Sequence, residues 1–498
     1  MRGKINTNTR NEILLEVYSI QPPFAYVGIL KELETGRLKY VVIEPILSEA
    51  DIEAIERIKE YVLEDRKIDL KTIKNEKLFI NYLKSVIRKL IKKKKINIKE
   101  ESIEKILYFL LRDLLYYGKI DIMMKDVEVE DVSCDGINTP IYVWHRRYES
   151  LPTNVMFTSY DELNSFIVRL AYKAGKQISI ANPIVEGTLP EGYRVHLSHG
   201  EIARRGSAFT IRKFRKDPYT IIDLINFGTI SSEAAAFMWL LIDLKKSTMI
   251  GGATAAGKTT LLNALAMLIR PEVKIVSIEE VAEIRLPHEN WVPLIARPAV
   301  EKWVQDITLF ELLKSALRMR PDYIIVGEIR GKEAYTFFQS IATGHAGICT
   351  IHAENVEYAI RRLESKPMNI PRLLIPMMNL YIQIERIVNG NQVIRRVTSI
   401  HEILKVDLET GRLVSNEVFS WNPITDRLEK KNKSIVLEKV AQEKLQDESI
   451  FLLEMERRRK ILEYLCEKNL RRFEDVSKII RNYYYDPERT LMKIEVGI

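Results

Sequence analysis

Cysteine is scarce in this chain: three residues in 498, Cys134, Cys349 and Cys466, lie far apart and form no CxxC pair. That spacing argues against a disulfide framework or a structural zinc element and points to a reducing interior. Long apolar runs are missing as well. No segment approaches 18 uninterrupted apolar residues, so no membrane-spanning helix is expected. The opening MRGKINTNTRNEILLEV lacks the apolar run of a secretory signal, and a cytosolic location is the expectation. The most basic stretch has no aromatic residues interleaved to stack on bases, so nucleic acid is not an expected partner. Internal repeats, low-complexity segments and an NKxD-like guanine-reading element are all wanting.

What is present is ordinary in bulk: 46% hydrophobic and 29% charged residues suit a well-cored globular protein, and the length suits about three domains. The net charge of +8 permits contact with an anionic surface. Much of the excess gathers at Lys84, Arg88, Lys89, Lys92, Lys93, Lys94, Lys95 and Lys99. There Phe79, Leu83, Val86, Ile87 and Leu90 recur at helical spacing, a basic amphipathic helix. Its apolar face either packs on its own domain or docks on an anionic membrane or a partner.

Along the chain, residues 1–95 read as an accessory region of short strands and helices, the last of them basic. Residues 96–216 read as an α+β domain. A linker over 217–221 follows, because Asp217-Pro218 disfavours helix. In residues 222–400 strands alternate with helices, the pattern of a mostly parallel α/β sheet. Residues 401–498 read as strands and then a charged helical tail.

The α/β region opens on GGATAAGKTT. Gly252, Ala253, Thr254, Ala255, Ala256, Gly257, Lys258 and Thr259 match G-x-x-x-x-G-K-[ST] in full, and Thr260 follows. A chance match in a chain this long has a probability of about 0.02. Thr248, Met249 and Ile250 supply a strand before it; Leu261, Leu262, Leu265 and Leu268 supply a helix face after it. Glycines let backbone N–H groups wrap phosphates, and the helix start adds favourable potential. Lys258 is expected to reach the β- and γ-phosphates of ATP, and Thr259 to hold Mg²⁺.

Three stretches downstream carry the remaining chemistry. VKIVSIEEVAEIRL delivers Glu279, Glu280 and Glu283 to a strand's carboxyl end, where ligands bind in open α/β sheets. RPDYIIVGEIRG ends in Glu328, with Gly327 where most such loops have a metal-side aspartate. ATGHAGICTIHAEN places His345 and His352 on either side of a strand.

Together these stretches resemble the Walker A, Asp-box, Walker B and His-box series of the secretion ATPase superfamily, over roughly residues 100–400. In that family the Walker B strand ends Gly-Glu. EDVSCDGINTPIYVWHRRY, LPHENWV and the tail ILEYLCEKNLRRFEDVSKIIRNYYYDPERTL are most similar to the archaeal branch that drives archaella and type IV pili. Two departures keep the charge: Glu280 stands where Asp is usual, and Glu186 likewise. The resemblance implies a RecA-like P-loop ATPase core. It also implies Glu328 as the water-orienting acid and Glu279 as the second metal-side carboxylate, with His345 and His352 sensing the γ-phosphate. Arg194 and Arg212 match arginines that approach nucleotide from the preceding domain, with Arg204 or Arg205 as additions. It further implies a homohexamer working on a polytopic membrane platform protein at the inner face of the cell membrane. A nucleic-acid translocase with a related core and a regulatory nucleotide-binding module are the alternatives.

Overall fold

A computed structural model of the chain describes residues 11–64, 76–93, 98, 100–215, 217–297, 305–389, 392–407, 409–410 and 412–496. It divides into two compact units, residues 1–215 and 216–498.

In the first unit, β1 (Glu12–Gln21), β2 (Ala25–Glu32) and β3 (Leu38–Ile43) precede α1 (Glu49–Glu64), α2 (Glu76–Lys92), α3 (Ile103–Leu114) and α4 (Asp121–Lys125). Then come β4 (Val129–Cys134), β5 (Pro140–His145), β6 (Glu149–Met156), α5 (Tyr160–Lys173), β7 (Ile184–Thr188), β8 (Arg194–Ser198) and β9 (Ala208–Arg212). The sheet order is β1-β2-β3-β6-β5-β4-β9-β8-β7, joined at β3 and β6 through Tyr40 opposite Thr153. The boundary expected near residue 95 therefore falls inside one sheet and one core.

The basic helix is α2. Phe79, Leu83, Val86, Ile87 and Leu90 are all buried in the unit's own core. Its apolar face is thus occupied within the chain, and only its charges remain for an outside surface. Even these are partly engaged: Lys84 pairs with Glu104 at 3.0 Å and Lys89 donates to the Tyr61 hydroxyl at 2.5 Å. Lys94, Lys95 and Lys99 lie outside the described residues.

The second unit begins with α6 (Ile221–Asn226) and α7 (Ser232–Asp243), then β10 (Thr248–Gly251), α8 (Lys258–Ala266), β11 (Ile275–Glu279) and β12 (Trp291–Ile295). Next are α9 (Leu309–Leu317), β13 (Tyr323–Val326), α10 (Glu333–Ala342), β14 (Ala346–Ile351) and α11 (Val356–Glu364). Four strands follow: β15 (Leu380–Asn389), β16 (Gln392–Val406), β17 (Leu413–Asn422) and β18 (Arg427–Lys430). The tail holds α12 (Ile435–Glu443), α13 (Glu448–Glu467), α14 (Phe473–Tyr485) and α15 (Pro487–Val496).

The sheet order is β12-β11-β13-β14-β10-β15-β16-β17-β18, parallel from β12 to β15 and antiparallel beyond. Alternate residues of the parallel strands feed two cores. Ile250, Ile275, Ile325 and Ile348 face α7 and α8, whereas Met249, Val276, Ile324 and Cys349 face α9 and α10. A parallel sheet covered on both sides must be apolar on both, and these strands are buried throughout. This is the RecA-like α/β core that the sequence suggests.

The tail completes the first of those layers. In α7, residues Ala234 to Ile242 are all buried, as for a helix covered all round. Arg458 of α13, 3% exposed, donates to the Trp239 carbonyl at 3.0 Å, to Asp243 at 2.6 Å and to Glu454 at 2.9 Å. A buried guanidinium with three acceptors is satisfied. Tyr484 ties α14 to the same place: it accepts from Trp239 Nε1 and donates to the Leu268 carbonyl just beyond α8.

Candidate functional site

The phosphate loop leaves β10 at the middle of the sheet, between β14 and β15. Its glycines answer to specific crowding. A Cβ on Gly251 would stand 1.9 Å from the Tyr381 hydroxyl, and one on Gly252 would stand 2.4 Å from the Ile384 carbonyl oxygen. Gly257 has φ +96°, and Ala255 sits at φ +61° without being glycine, a conformation held at some cost. Helix α8 then starts at Lys258, and Gly257 gives it no side-chain cap. Helices α6, α9 and α11 are capped by Thr220, Thr308 and Asn355. An uncapped start over a glycine-built loop presents its first N–H groups to an anion.

Lys258 is buried, and its ammonium lies 2.9 Å from the Ala253 carbonyl and 3.2 Å from His352 Nδ1. An ammonium only donates, so Nδ1 accepts and the ring proton sits on Nε2. That nitrogen is 3.3 Å from Glu328 Oε1. The three side chains thus form one line from the phosphate loop to the Walker B acid. Burial lowers the pKa of Lys258, against the pull of Glu328. Burial, followed by the nearby Lys258 charge, lowers that of His352, so the imidazole is neutral at neutral pH. Arg362 donates to the His352 carbonyl at 2.7 Å and holds the backbone there.

Glu328 itself lies just past β13, half-buried. Thr350 donates to the Gly327 carbonyl at 2.6 Å, stitching that turn to β14. Glu333 accepts from the Arg330 and Gly331 amides at 2.8 and 2.6 Å, closing the turn beyond it. A Cβ on Gly327 would stand 3.3 Å from Glu279 Cγ, so a bare backbone lets the neighbouring strand's glutamate pass. Any side chain at this position would press on the Glu279 stem.

Glu279 ends β11 and is 4% exposed. Its Oε1 accepts from the Glu283 and Ile284 amides, both at 2.9 Å. Burial pushes its pKa up to about 7, with those two amides pulling the other way. One oxygen of this carboxylate therefore holds the Asp-box turn. Asn263 of α8 accepts from the Arg285 amide at 3.0 Å and fastens the same segment to the phosphate helix. Glu280 is exposed and pairs with Arg330.

Of the two histidines, only His352 comes to the phosphate loop. Strand β14 runs parallel to β10 with Ile351 opposite Gly251, and His345 precedes the far end of that strand. Seven residues of extended chain put it roughly 20 Å from His352. There His345 Nδ1 is 3.0 Å from the Ser340 carbonyl, a contact at the C-terminal end of α10. Phosphate sensing by His345 does not agree with this position. Arg194 and Arg212 belong to the first unit, opposite each other on β8 and β9 and both exposed, with Arg194 paired to Glu186 at 2.9 Å. Arg204 and Arg205 are exposed in the loop between those strands.

The sequence reading missed Arg395. Its Nε donates to the Ala255 carbonyl at 3.2 Å, and its Cδ would be 3.3 Å from a Cβ on Gly257. It reaches the loop from β16, 140 residues downstream, and no local pattern marks it.

Residues 137–390 match the type II/IV secretion system protein family. The chain belongs to that family. An uncharacterised protein of Methanocaldococcus jannaschii is 34% identical over 94% of this chain and 88% of its own length. The type IV secretion system protein PtlH of Bordetella pertussis is 29% identical over 54% of this chain and 86% of its own length. Among solved structures, the VirB11 ATPase of the Brucella suis type IV secretion system, in complex with sulphate, is 24% identical. That match covers 56% of this chain and 90% of that chain, at a TM-score of 0.30. The phosphate loop, both acidic strand ends and His352 of this type II/IV secretion family member all lie within the matched span.

Proposed function

We propose that this chain is an ATPase that powers assembly of a type IV pilus-like filament, an archaellum or adhesive pilus, or a related secretion machine. The observation that carries this reading is the Lys258–His352–Glu328 line beside an uncapped helix start. Amides of residues 252–260 would wrap the phosphates, and Lys258 would turn its ammonium from Ala253 and His352 to the terminal ones.

Among the described residues no group of three or more acidic, His or Cys side chains would hold a metal alone. Mg²⁺ therefore fits as the nucleotide's companion, with Thr259, Glu328 and the free oxygen of Glu279 as the protein's share. When bound, it would neutralise charge on the phosphate oxygens. Glu328, half-exposed and next to a neutral imidazole, is suited to orient or deprotonate a water. His352 contacts both Lys258 and Glu328, so a change at the terminal phosphate would reach β14 through it.

The working form in this reading is a homohexamer at the cytoplasmic face of the membrane, acting on a polytopic platform protein, with Arg194 and Arg212 supplied on domain closure. No helix among the described residues is long and apolar enough to cross a membrane. The test is ATP turnover by the purified full chain, alone, with anionic vesicles and with single-stranded DNA. Turnover raised by vesicles supports the filament motor. Turnover raised only by DNA favours a nucleic-acid translocase, and tight ATP binding without any turnover favours a regulatory module.

A further inference from the structure

Strand β15 carries two buried polar side chains that none of the site's motifs uses. It runs parallel to β10 on the side away from β14, with Tyr381 opposite Met249 and Gln383 opposite Gly251. Tyr381 is fully buried and Gln383 is 3% exposed. The Tyr381 hydroxyl donates to Gln383 Oε1 at 2.5 Å. Gln383 Nε2 donates to the Glu354 carbonyl at 2.9 Å and faces the Ala353 carbonyl at 3.4 Å. The amide can point only one way. Carbonyls take only donors, so Nε2 must face them, while the phenol's proton fixes Oε1.

Those two carbonyls belong to the residues directly after His352. At the other end of the same network, the Tyr381 hydroxyl fills the space that glycine leaves at Gly251, where the phosphate loop begins. A register shift in the β15–β16 pairing falls between Gln383 and Ile384, and the Ile384 carbonyl beyond it crowds Gly252. Bulges re-aim the residues beside them and recur next to active sites. A single strand, broken in register at the right place, therefore touches both the phosphate loop and the segment bearing His352.

We propose that Gln383 is a positioning residue for His352. It fixes the height of the Ala353–Glu354 segment above the sheet, so that the imidazole spans Lys258 and Glu328. Through Tyr381 it references that height to Gly251. The inference rests on His352 acting in ATP turnover, as proposed above.

The test is Gln383→Met, made in the wild-type chain and in a His352→Ala background. Expected is a fall in kcat of about tenfold or more, with nucleotide Kd within about twofold, since an ångström of misplacement suffices for such losses. In the His352→Ala background the same substitution should change kcat by less than about twofold, because two residues acting as one do not multiply. Losses that multiply would overturn the proposal. Should Gln383→Met fold poorly, Tyr381→Phe removes only the donor that orients the amide. It should give a smaller loss with the same dependence on His352, and a loss independent of His352 would likewise overturn the idea. If the wild-type chain turns over no ATP, the motor reading falls by itself. The strut is then read from the ¹⁵N resonances of the His352 ring, which should shift in Gln383→Met; unchanged resonances would overturn it.

Discussion

Replacing Glu279 with glutamine should make the second unit more stable at pH 8 while leaving the Asp-box turn intact. The side chain is buried at the end of β11, and Oε1 accepts from two amides, a task that a glutamine oxygen performs equally well. The carboxylate differs in being forced to hold its proton: its pKa rises from the ordinary 4.5 to about 7. A folded state that holds a proton more tightly than the unfolded chain is favoured at low pH. The contribution is complete below about pH 4.5 and is lost as pH rises through about 7. At 1.36 kcal/mol per pH unit the whole effect is about 3 kcal/mol, of which about 2.5 kcal/mol falls between pH 5 and pH 8. Glutamine carries no such dependence, so the difference between Glu279→Gln and wild type should grow by that amount across the interval. Hydrogen exchange at β10 and β11 amides, followed against urea, reads this unit without the other. A difference that stays flat with pH would refute the reasoning. So would a variant weaker than wild type at pH 8, which would mean that the carboxylate's charge holds the turn.

Glu328→Gln should keep ATP affinity and lose turnover by about a hundredfold or more, by analogy with general-base contributions of 10²–10⁴; steady-state kinetics with a binding titration checks this, and an unchanged kcat would remove the residue from its role. Lys258→Ala should weaken nucleotide binding itself, by a titration with fluorescent ATP analogue. Gly252→Ala brings a Cβ against the backbone oxygen of Ile384, which cannot swing aside, so nucleotide binding should fail in a chain whose first unit still melts normally. Arg458→Ala removes the bonds to the Trp239 carbonyl and Glu454 and leaves Asp243 with Arg270 as its guanidinium partner, so it should cost about 1–3 kcal/mol in unfolding of the second unit. Limited proteolysis should then cut within α13–α15 first.

Chemistry that sits within one short stretch was legible in the sequence. The phosphate loop needs its glycines, lysine and threonine at fixed spacing, and Glu328 follows its strand directly. Two buried cores on a parallel sheet also follow from continuous apolar strands such as YIIV and AGICTI. The histidines show the limit of motif reading. His345 and His352 share one motif, but a strand of six residues lies between them, so they stand at opposite ends of β14. Glu279 was visible as an acid at a strand end, whereas its bonds to the Glu283 and Ile284 amides depend on how the chain turns afterwards. Arg395, Tyr381 and Gln383 were invisible because strand order brings them to the loop. Alternation of apolar residues identifies β15 and β16 as strands and says nothing about which neighbour they join. The first unit's undivided sheet was missed for a similar reason, since the pairing of β3 with β6 spans more than a hundred residues.

The buttress that β15 and β16 give the phosphate loop bears on synthesis in the cell. Arg395 follows Ala255 by 140 residues, so at about 5–20 residues per second the loop waits roughly 7–28 seconds on the ribosome before its support exists. Over that interval β10 gains β14 first and β15 only near the end, so a nucleotide has no finished cradle to stabilise. The phosphate site is complete only once translation has passed β16, and a ligand can assist its folding only from that point on.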